Sequence, residues 1–479
     1  MTTYDYCIVG AGPSGFTASW YLSRLGYKVL LVDREDVIGG VHRVVRATTN
    51  NGVENSFTEH SPRIYSGGYL AFIHMLKEMH IDFFKIFAGY SYNIFTIMLT
   101  VVVNFSILDI VKILIGFIKY IFVDPEGSVD SFLKSNHFSD KGSDVIDRFC
   151  RLLDGGGADR MLSTEMFHSF DFIPFYRFYQ PIAPNDELLM RLIEDRLTKN
   201  GVTILKGHEL IDMNTSLSKV TSAKMRDVNS GETTDIFATR YVLATPPKNV
   251  LKVVKNSSDQ KIQSAFGDLE DFEKYVINSS YNEYPSMVFY WDKQKNVKTR
   301  WGFPSGEWGV INIKVSDYYS DSTIKKNSNR QIMSLTLAKA DFPNKDGLTY
   351  YQFLSKYGES VTAKEILRQL RSQSAVPDYD DFTFNRVEND SGFIRTTKRW
   401  RDYHTNLKNL YWIGCHNGNS KLELTTLESA VQNGITFVDS HLKLNGKLLN
   451  FPKLNKISDL FYPLVYVFNY ITSMLGLLL

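Results

Sequence analysis

Cysteine is scarce in this chain of 479 residues: Cys7, Cys150 and Cys415 are odd in number and far apart. That excludes a disulfide framework, and with no paired Cys or His spacing no metal site is expected. A reducing compartment is the default. Lysine and arginine form no tract and the formal net charge is only +2, so nothing points to a nucleic-acid partner. The N-terminus runs straight into strand-forming residues, without the charged and apolar regions of a secretory leader. The expected location is therefore the cytoplasmic side.

Apolar residues make up 43% and aromatics 14%, a share that suits an apolar pocket, a membrane-facing surface or a plain large core. The length exceeds one simple core, and two interleaved domains are the natural expectation.

The most informative stretch is Tyr4 to Arg43. The apolar run Tyr6–Val9 ends in Gly10-Ala11-Gly12-Pro13-Ser14-Gly15, a helical pattern follows over Phe16–Leu25, and a second apolar run, Lys28–Val32, closes on Asp33. Strand, glycine turn, helix, strand and acid, in that order, form a dinucleotide-binding fingerprint. Gly10 serves the tight turn, Gly12 the approach of a pyrophosphate and Gly15 the packing of helix on strand. The pyrophosphate is expected at the helix N-terminus, over Pro13 and Ser14, where free N–H groups and the helix dipole favour negative charge. Asp33, 18 residues after Gly15, is placed to accept hydrogen bonds from a ribose.

After Asp33 come Arg34-Glu35-Asp36-Val37-Ile38-Gly39-Gly40 and Val41-His42-Arg43. With the fingerprint, this resembles the FAD-binding start of the flavin-containing amine oxidase superfamily, which includes monoamine oxidases, protoporphyrinogen oxidase and carotenoid (phytoene) desaturases. In that superfamily an arginine directly follows the second glycine pair. Here Val41 and His42 intervene, and Arg43 is the nearest equivalent. Glu59-His60-Ser61-Pro62-Arg63 resembles the family segment that passes beside the flavin ring, which makes His60 and Arg63 candidates for flavin or substrate contacts, against a turn histidine and a surface arginine. The strand Gly201–Leu205 resembles the return to the FAD domain, with Glu209 and Leu210 near the adenine. The fold that this implies is α/β: a Rossmann-type, glutathione-reductase-like FAD domain (1–80, 186–250 and 396–445) interleaved with an α+β substrate domain (helices in 81–185, an antiparallel sheet in 251–395), and an apolar C-terminal helix in 446–479.

Near the C-terminus, Asn409–Gly414 reads as a strand ending in glycine, and Thr425–Gly434 starts a helix that runs to about Leu442. The resemblance places Gly414, Thr426, Leu427 and Ala430 around the flavin. Cys415 stands where the superfamily carries an acid, and His416 is either a substitute donor or a plain loop histidine. The flavin-linking cysteine signature of the monoamine oxidase branch is absent, so the implied FAD is non-covalent.

Between these ends, Ser286–Trp291, Trp308–Val315 and Gln331–Ala338 read as neighbours in one antiparallel sheet. Ile86–Leu108 is 23 residues without a charge and Leu460–Leu479 is 20, each long enough for a membrane span, a monotopic insertion or buried helices. The tail is expected to attach the protein to a membrane. No catalytic acid–base pair or triad is legible, as expected where a cofactor carries the chemistry. The function implied is hydride transfer from a C–N or C–C bond of an apolar or amine small molecule to flavin N5. Two alternatives share the fingerprint: a flavoenzyme like UDP-galactopyranose mutase, without net redox change, and a non-enzymatic binding protein like the Rab escort and GDP-dissociation inhibitor proteins.

Overall fold

The computed structural model describes residues 3–474 except 91–104, 124, 280, 283, 300–302, 321–329, 373, 386–392, 395–399, 401, 421, 423–424, 462, 465, 468–469 and 472–473. Five parallel strands form the central sheet: β1 (Tyr4–Val9), β2 (Val29–Val32), β3 (Thr203–Leu205), β4 (Ala238–Leu243) and β5 (Leu410–Trp412), in the order β5-β4-β1-β2-β3. A parallel sheet is covered on both faces, which is why its strands read as unbroken apolar runs. Tyr6, Ile8, Leu31 and Val242 face one core, and Cys7, Val9, Leu30 and Trp412 face the other.

Helix α1 (Pro13–Arg24) follows β1, with proline in its first turn. It packs against the closing helix, Leu427–His441, which is capped by the Thr426 hydroxyl accepting from Ser429 N. The two approach closely because Gly434 lacks a side chain: a Cβ there would lie 2.9 Å from the Ser14 carbonyl oxygen. The Ser14 hydroxyl donates to the Ala430 carbonyl at 2.9 Å, fastening the first turn of the fold to its last helix.

The second sheet is antiparallel, in the order Val310–Ile313, Arg330–Leu337, Ser286–Asp292, Asp381–Phe384, with the three expected strands adjacent. One face packs Phe289, Trp291 and Leu335 with residues of the helix Tyr350–Leu370, which is interrupted at Gly358 (φ 78°). The opposite face packs Val288, Tyr290 and Ile313 against Val44 and Phe57 of the hairpin Val44–Ala47/Ser56–Glu59.

A helical layer completes the molecule. Helix α2 (Ile107–Phe122) is started by a capping box between Ser106 and Asp109. Val129–Ser135, Asp140–Asp154 and α3 (Ser163–Phe172) pack beneath it around Val129, Ile146, Cys150 and Phe167. A short helix, Ile457–Leu460, docks on α3, where Ser458 N and its hydroxyl donate to the Asp171 carboxylate at 2.7 and 2.6 Å. Beyond it the described residues Pro463, Leu464, Tyr466, Val467, Tyr470, Ile471 and Met474 have helical backbone. The readings of Ile86–Leu108 and of the tail as membrane spans fall partly outside the described residues. Among those described, no helix is long and apolar enough to cross a membrane.

Candidate functional site

A single large cavity of about 1050 Å³ runs from the C-terminal edge of the parallel sheet to the helical layer. Its first half is a groove along β1, β2 and β4. Gly10 (φ 106°) makes the turn off β1, and a Cβ there would sit 2.6 Å from the Ala244 carbonyl oxygen. A Cβ on Gly15 would lie 1.8 Å from the Gly10 oxygen, so that glycine serves the packing of α1 on the turn and does not line the cavity. Gly12 differs: its Cβ would meet nothing nearer than Gly40 Cα at 3.8 Å. The space in front of it belongs to the groove, and this is the position where a pyrophosphate can approach the backbone.

Asp33 closes the groove's far end. Its carboxylate accepts from Ala11 N at 2.6 Å and Glu35 N at 2.9 Å, which ties the glycine turn to the end of β2. Burial raises its pKa against those bonds. Each oxygen keeps a further lone pair for a ribose hydroxyl. Arg43 is 8% exposed, donates to the Gly40 carbonyl at 2.9 Å and lies 3.3 Å from Glu35, while Arg34 also pairs with Glu35. Arg43 thus clamps the second glycine pair and lines the groove. His208, Glu209, Leu210 and Arg226 line the end beyond β3, and Glu209 is paired with Arg226 and Lys252.

The opposite wall comes from the closing segment: Gly414, Cys415, Thr426, Leu427 and Ala430 line it, together with Pro13, Ser14, Gly40 and Val41. Cys415 Sγ lies 3.6 Å from the Thr426 carbonyl oxygen, within the protein's own hydrogen bonding. The His416 ring is turned onto Trp412, with centroids 3.8 Å apart, and burial lowers its pKa to about 3. It is a buried, neutral histidine that lines the cavity beside Cys415.

Between the groove and the helical layer sits a buried cationic junction. The Arg63 guanidinium lines the cavity and donates to the Val41 carbonyl. Burial, aided by Arg63, pushes His42 and His60 well below the usual histidine range, so both are neutral beside it. His42 lines the cavity, whereas His60 lies behind it, its ring 6.3 Å from that of Tyr284. Gly15 and His60 are thus the two sequence-named residues that do not line the cavity.

The second half of the cavity is an apolar arm. Its walls include Ile113 and Phe117 of α2, Phe149 and Leu153 of the helix Asp140–Asp154, and Phe170 of α3; Ile311, Ile313 and Thr336 of the antiparallel sheet form its floor. The carboxylates that line the cavity, Asp33, Glu35 and Glu209, are all at the nucleotide end, and none lines the arm among the described residues. Of the floor, sequence reasoning gave the strands Trp308–Val315 and Gln331–Ala338 but not the individual residues Ile311, Ile313 and Thr336, and it did not single out Tyr284 or Lys252. Only the proline-initiated helix Pro247–Asn256 offered a local signal, for Lys252 and Asn249.

The model of an NAD(P)-binding Rossmann-like domain matches residues 8–79. Comparison with curated protein sequences gives no match. Among solved structures, an oxidoreductase from Methanosarcina mazei is 14% identical, with a TM-score of 0.59 over 91% of this chain and 99% of its own. Wild-type putrescine oxidase bound to putrescine is 14% identical, with a TM-score of 0.58 over 92% and 99%. A Pyrococcus furiosus protein is 13% identical, with a TM-score of 0.53 over 92% and 97%. At these identities what the chain shares with the solved structures is the fold.

Proposed function

We propose that this chain is an FAD-dependent oxidoreductase acting on a lipophilic small molecule. The observation that carries the reading is the continuity of one cavity from the glycine cradle into an apolar arm. The groove fits FAD: Gly12 leaves room for the pyrophosphate, the α1 N-terminus faces it, Asp33 suits the adenosine ribose, and Glu209 and Leu210 flank the adenine end. Gly414, Thr426 and Leu427 would hold the flavin end, and the engagement of Cys415 with Thr426 fits non-covalent binding. When bound, FAD would supply a hydride acceptor for oxidation of a C–N or C–C bond, the hydride coming from a C–H of that bond's carbon and the proton from its neighbour, and an external acceptor would then be needed to take the electrons.

The protein's share is binding, orientation and the exclusion of water. Phe149, Phe170 and Ile313 hold an apolar substrate by burying its surface. Arg63 places a positive charge at the junction, and the neutral His42 beside it can donate or accept one hydrogen bond. Among the described residues no carboxylate lines the arm to pair with a protonated amine, and moving such a cation from water into apolar surroundings is costly. This favours an uncharged or anionic lipophile over a diamine. The arm offers a sugar nucleotide few polar partners, Tyr284 and Thr336 among them, and the open glycine cradle suits a nucleotide, which a flavin-free escort protein does not bind.

The test is the absorption spectrum of the purified protein, repeated on the supernatant after acid precipitation. Bands near ~375 and ~450 nm released by acid establish non-covalent flavin as the cofactor. A colourless protein that takes up no added FAD overturns the reading. With flavin present, anaerobic bleaching by lipophilic alcohols or polyenes, and not by putrescine, supports the substrate class; bleaching by putrescine alone overturns it.

A further inference from the structure

Glu59 ends the hairpin strand Ser56–Glu59 and is only 7% exposed. Arg63, 9% exposed, lines the cavity at the junction. Glu59 is the acid among the groups that bear on the charge of Arg63, and Arg63 in turn favours the ionised form of Glu59. The Ser334 hydroxyl faces the carboxyl from the strand Arg330–Leu337, where Ser334 pairs with Ile313 of the cavity floor. Among the described residues, Glu59 Oε1 nevertheless accepts no hydrogen bond. A buried carboxylate with so few partners is costly to ionise. Burial outweighs the help of Ser334 and Arg63 and pushes its pKa up to about 7.

The groups packed around this pair keep one charge state near neutral pH. Burial first, and Arg63 next, hold His42 and His60 well below the usual histidine range, so both are uncharged. Tyr65, on the strand Tyr65–Ser66, and Tyr319, after the turn Val315–Asp317, both sense the Glu59 charge. Burial pushes their pKa values up, and they keep their protons. Tyr69, beside Arg63, does the same. Arg43, the other cation that acts on His60, lies 3.3 Å from Glu35. The junction therefore holds one fixed charge, on Arg63, and one that changes around neutrality, on Glu59. The apolar arm beyond adds no carboxylate among the described residues.

A carboxylate brought to Arg63 from the cavity side puts a second negative charge near Glu59. Like charges in one buried site raise the pKa of the group that can accept a proton. We propose that the junction binds the carboxylate head of a lipophile whose chain fills the apolar arm, and that Glu59 takes up a proton from solvent as this carboxylate binds. The exchange holds the buried charge constant, because Arg63 faces one negative charge before binding, from Glu59, and one after it, from the ligand. The protonated Glu59 gains an O–H, and the Ser334 oxygen that faces it can accept a hydrogen bond. No covalent bond of the ligand is made or broken. That the bound carboxylate is a substrate rests on the function proposed above; its binding does not need the flavin.

The test is isothermal titration calorimetry of the purified full chain with octanoate, and with octan-1-ol as the uncharged control. Titrations at pH 6.5 and 8.5, each in two buffers of different ionisation enthalpy, count the protons taken up. Octanoate is expected to bind roughly tenfold more weakly at the higher pH, with uptake of most of a proton there and far less at the lower. Octanol should bind alike at both, with no uptake. Glu59→Gln keeps the side-chain shape and should bind octanoate alike at both pH values, without proton uptake. Octanoate that fails to bind the wild type at pH 6.5 overturns the proposal, whether or not octanol binds. So does wild-type binding that is equal at both pH values or takes up no proton at pH 8.5, a result that involves no variant. A pH dependence that survives in folded Glu59→Gln overturns it as well. Flavin in a protein that binds octanol and not octanoate sinks this site alone; proton-linked octanoate binding by a colourless protein that takes up no FAD sinks the oxidoreductase reading alone.

Discussion

The carboxylate of Asp33 accepts a 2.6 Å hydrogen bond from the backbone N–H of Ala11, across 22 residues. The acid that is to hold a ribose therefore also shapes the turn that is to hold the pyrophosphate. Asp33→Ala is expected to lower FAD affinity by roughly 10- to 100-fold, the cost of one or two charge-assisted hydrogen bonds. Asp33→Asn, which keeps one acceptor, should lose less. Titration of apoprotein with FAD, followed by flavin fluorescence, measures both.

Gly12 and Gly15 separate ligand space from packing space. A Cβ at Gly15 would lie 1.8 Å from a backbone oxygen, whereas one at Gly12 meets nothing within 3.7 Å, its nearest neighbour being 3.8 Å away. Gly15→Ala should destabilise the fold by about 2–4 kcal/mol. Gly12→Ala should leave the melting temperature of the apoprotein nearly unchanged and still impair FAD uptake. Thermal melts of the two apoproteins, paired with FAD titration, check the contrast; equal loss of stability in both would refute it.

His416 ties stability to pH. Burial against Trp412 lowers its pKa to about 3 from an ordinary 6.5. The unfolded chain takes up a proton there below 6.5 and the folded chain does not, so the contribution is intact above that value and is lost as the pH falls toward 3. His416→Phe keeps the stack and removes the titration. Melting temperature recorded from pH 7 to pH 4 should fall less steeply in the variant than in the wild type.

Glu428 belongs to the closing helix, yet its carboxylate accepts from Ala71 N at 2.8 Å and Phe72 N at 2.9 Å, at the start of the helix Leu70–Glu78. A buried acid at a helix N-terminus satisfies donors that have no intrahelical partner. Glu428→Ala should cost about 2–4 kcal/mol by stranding those donors, measured by urea unfolding. Glu428→Gln should recover part of the loss.

The elements legible in the sequence are those whose residues answer to local geometry. Gly10 and Gly15 each meet a backbone demand within one turn, and the runs of β1 and β2 show their burial in their composition. The start of the closing helix was readable at Thr426 for the same reason. The individual residues of the cavity beyond the groove were not, because Tyr284, Ile311 and Thr336 come to line one cavity with Ile113 and Phe117 of α2 only through the packing of two sheets and a helical layer. Nothing in an isolated Ile or Thr marks it as a cavity floor. The helix Tyr350–Leu370 does not read as one element, because Gly358 at φ 78° resets the helical phase between its halves. The ring orientation of His416 depends on its stack with Trp412, a contact that no local sequence pattern announces.

The central sheet has a consequence for how the protein is made. β5 pairs with β4, and β4 with β1, so the sheet that opens at Tyr4 is not complete until Trp412 has joined it. A ribosome adding roughly 5–20 residues per second takes on the order of tens of seconds to cover that distance. Through that interval β4 waits with one edge unpaired, and the core that Trp412 fills stays open. Assembly from such distant segments is slow and exposes apolar surface. Newly made chains hold that apolar surface uncovered until the C-terminal segment has emerged.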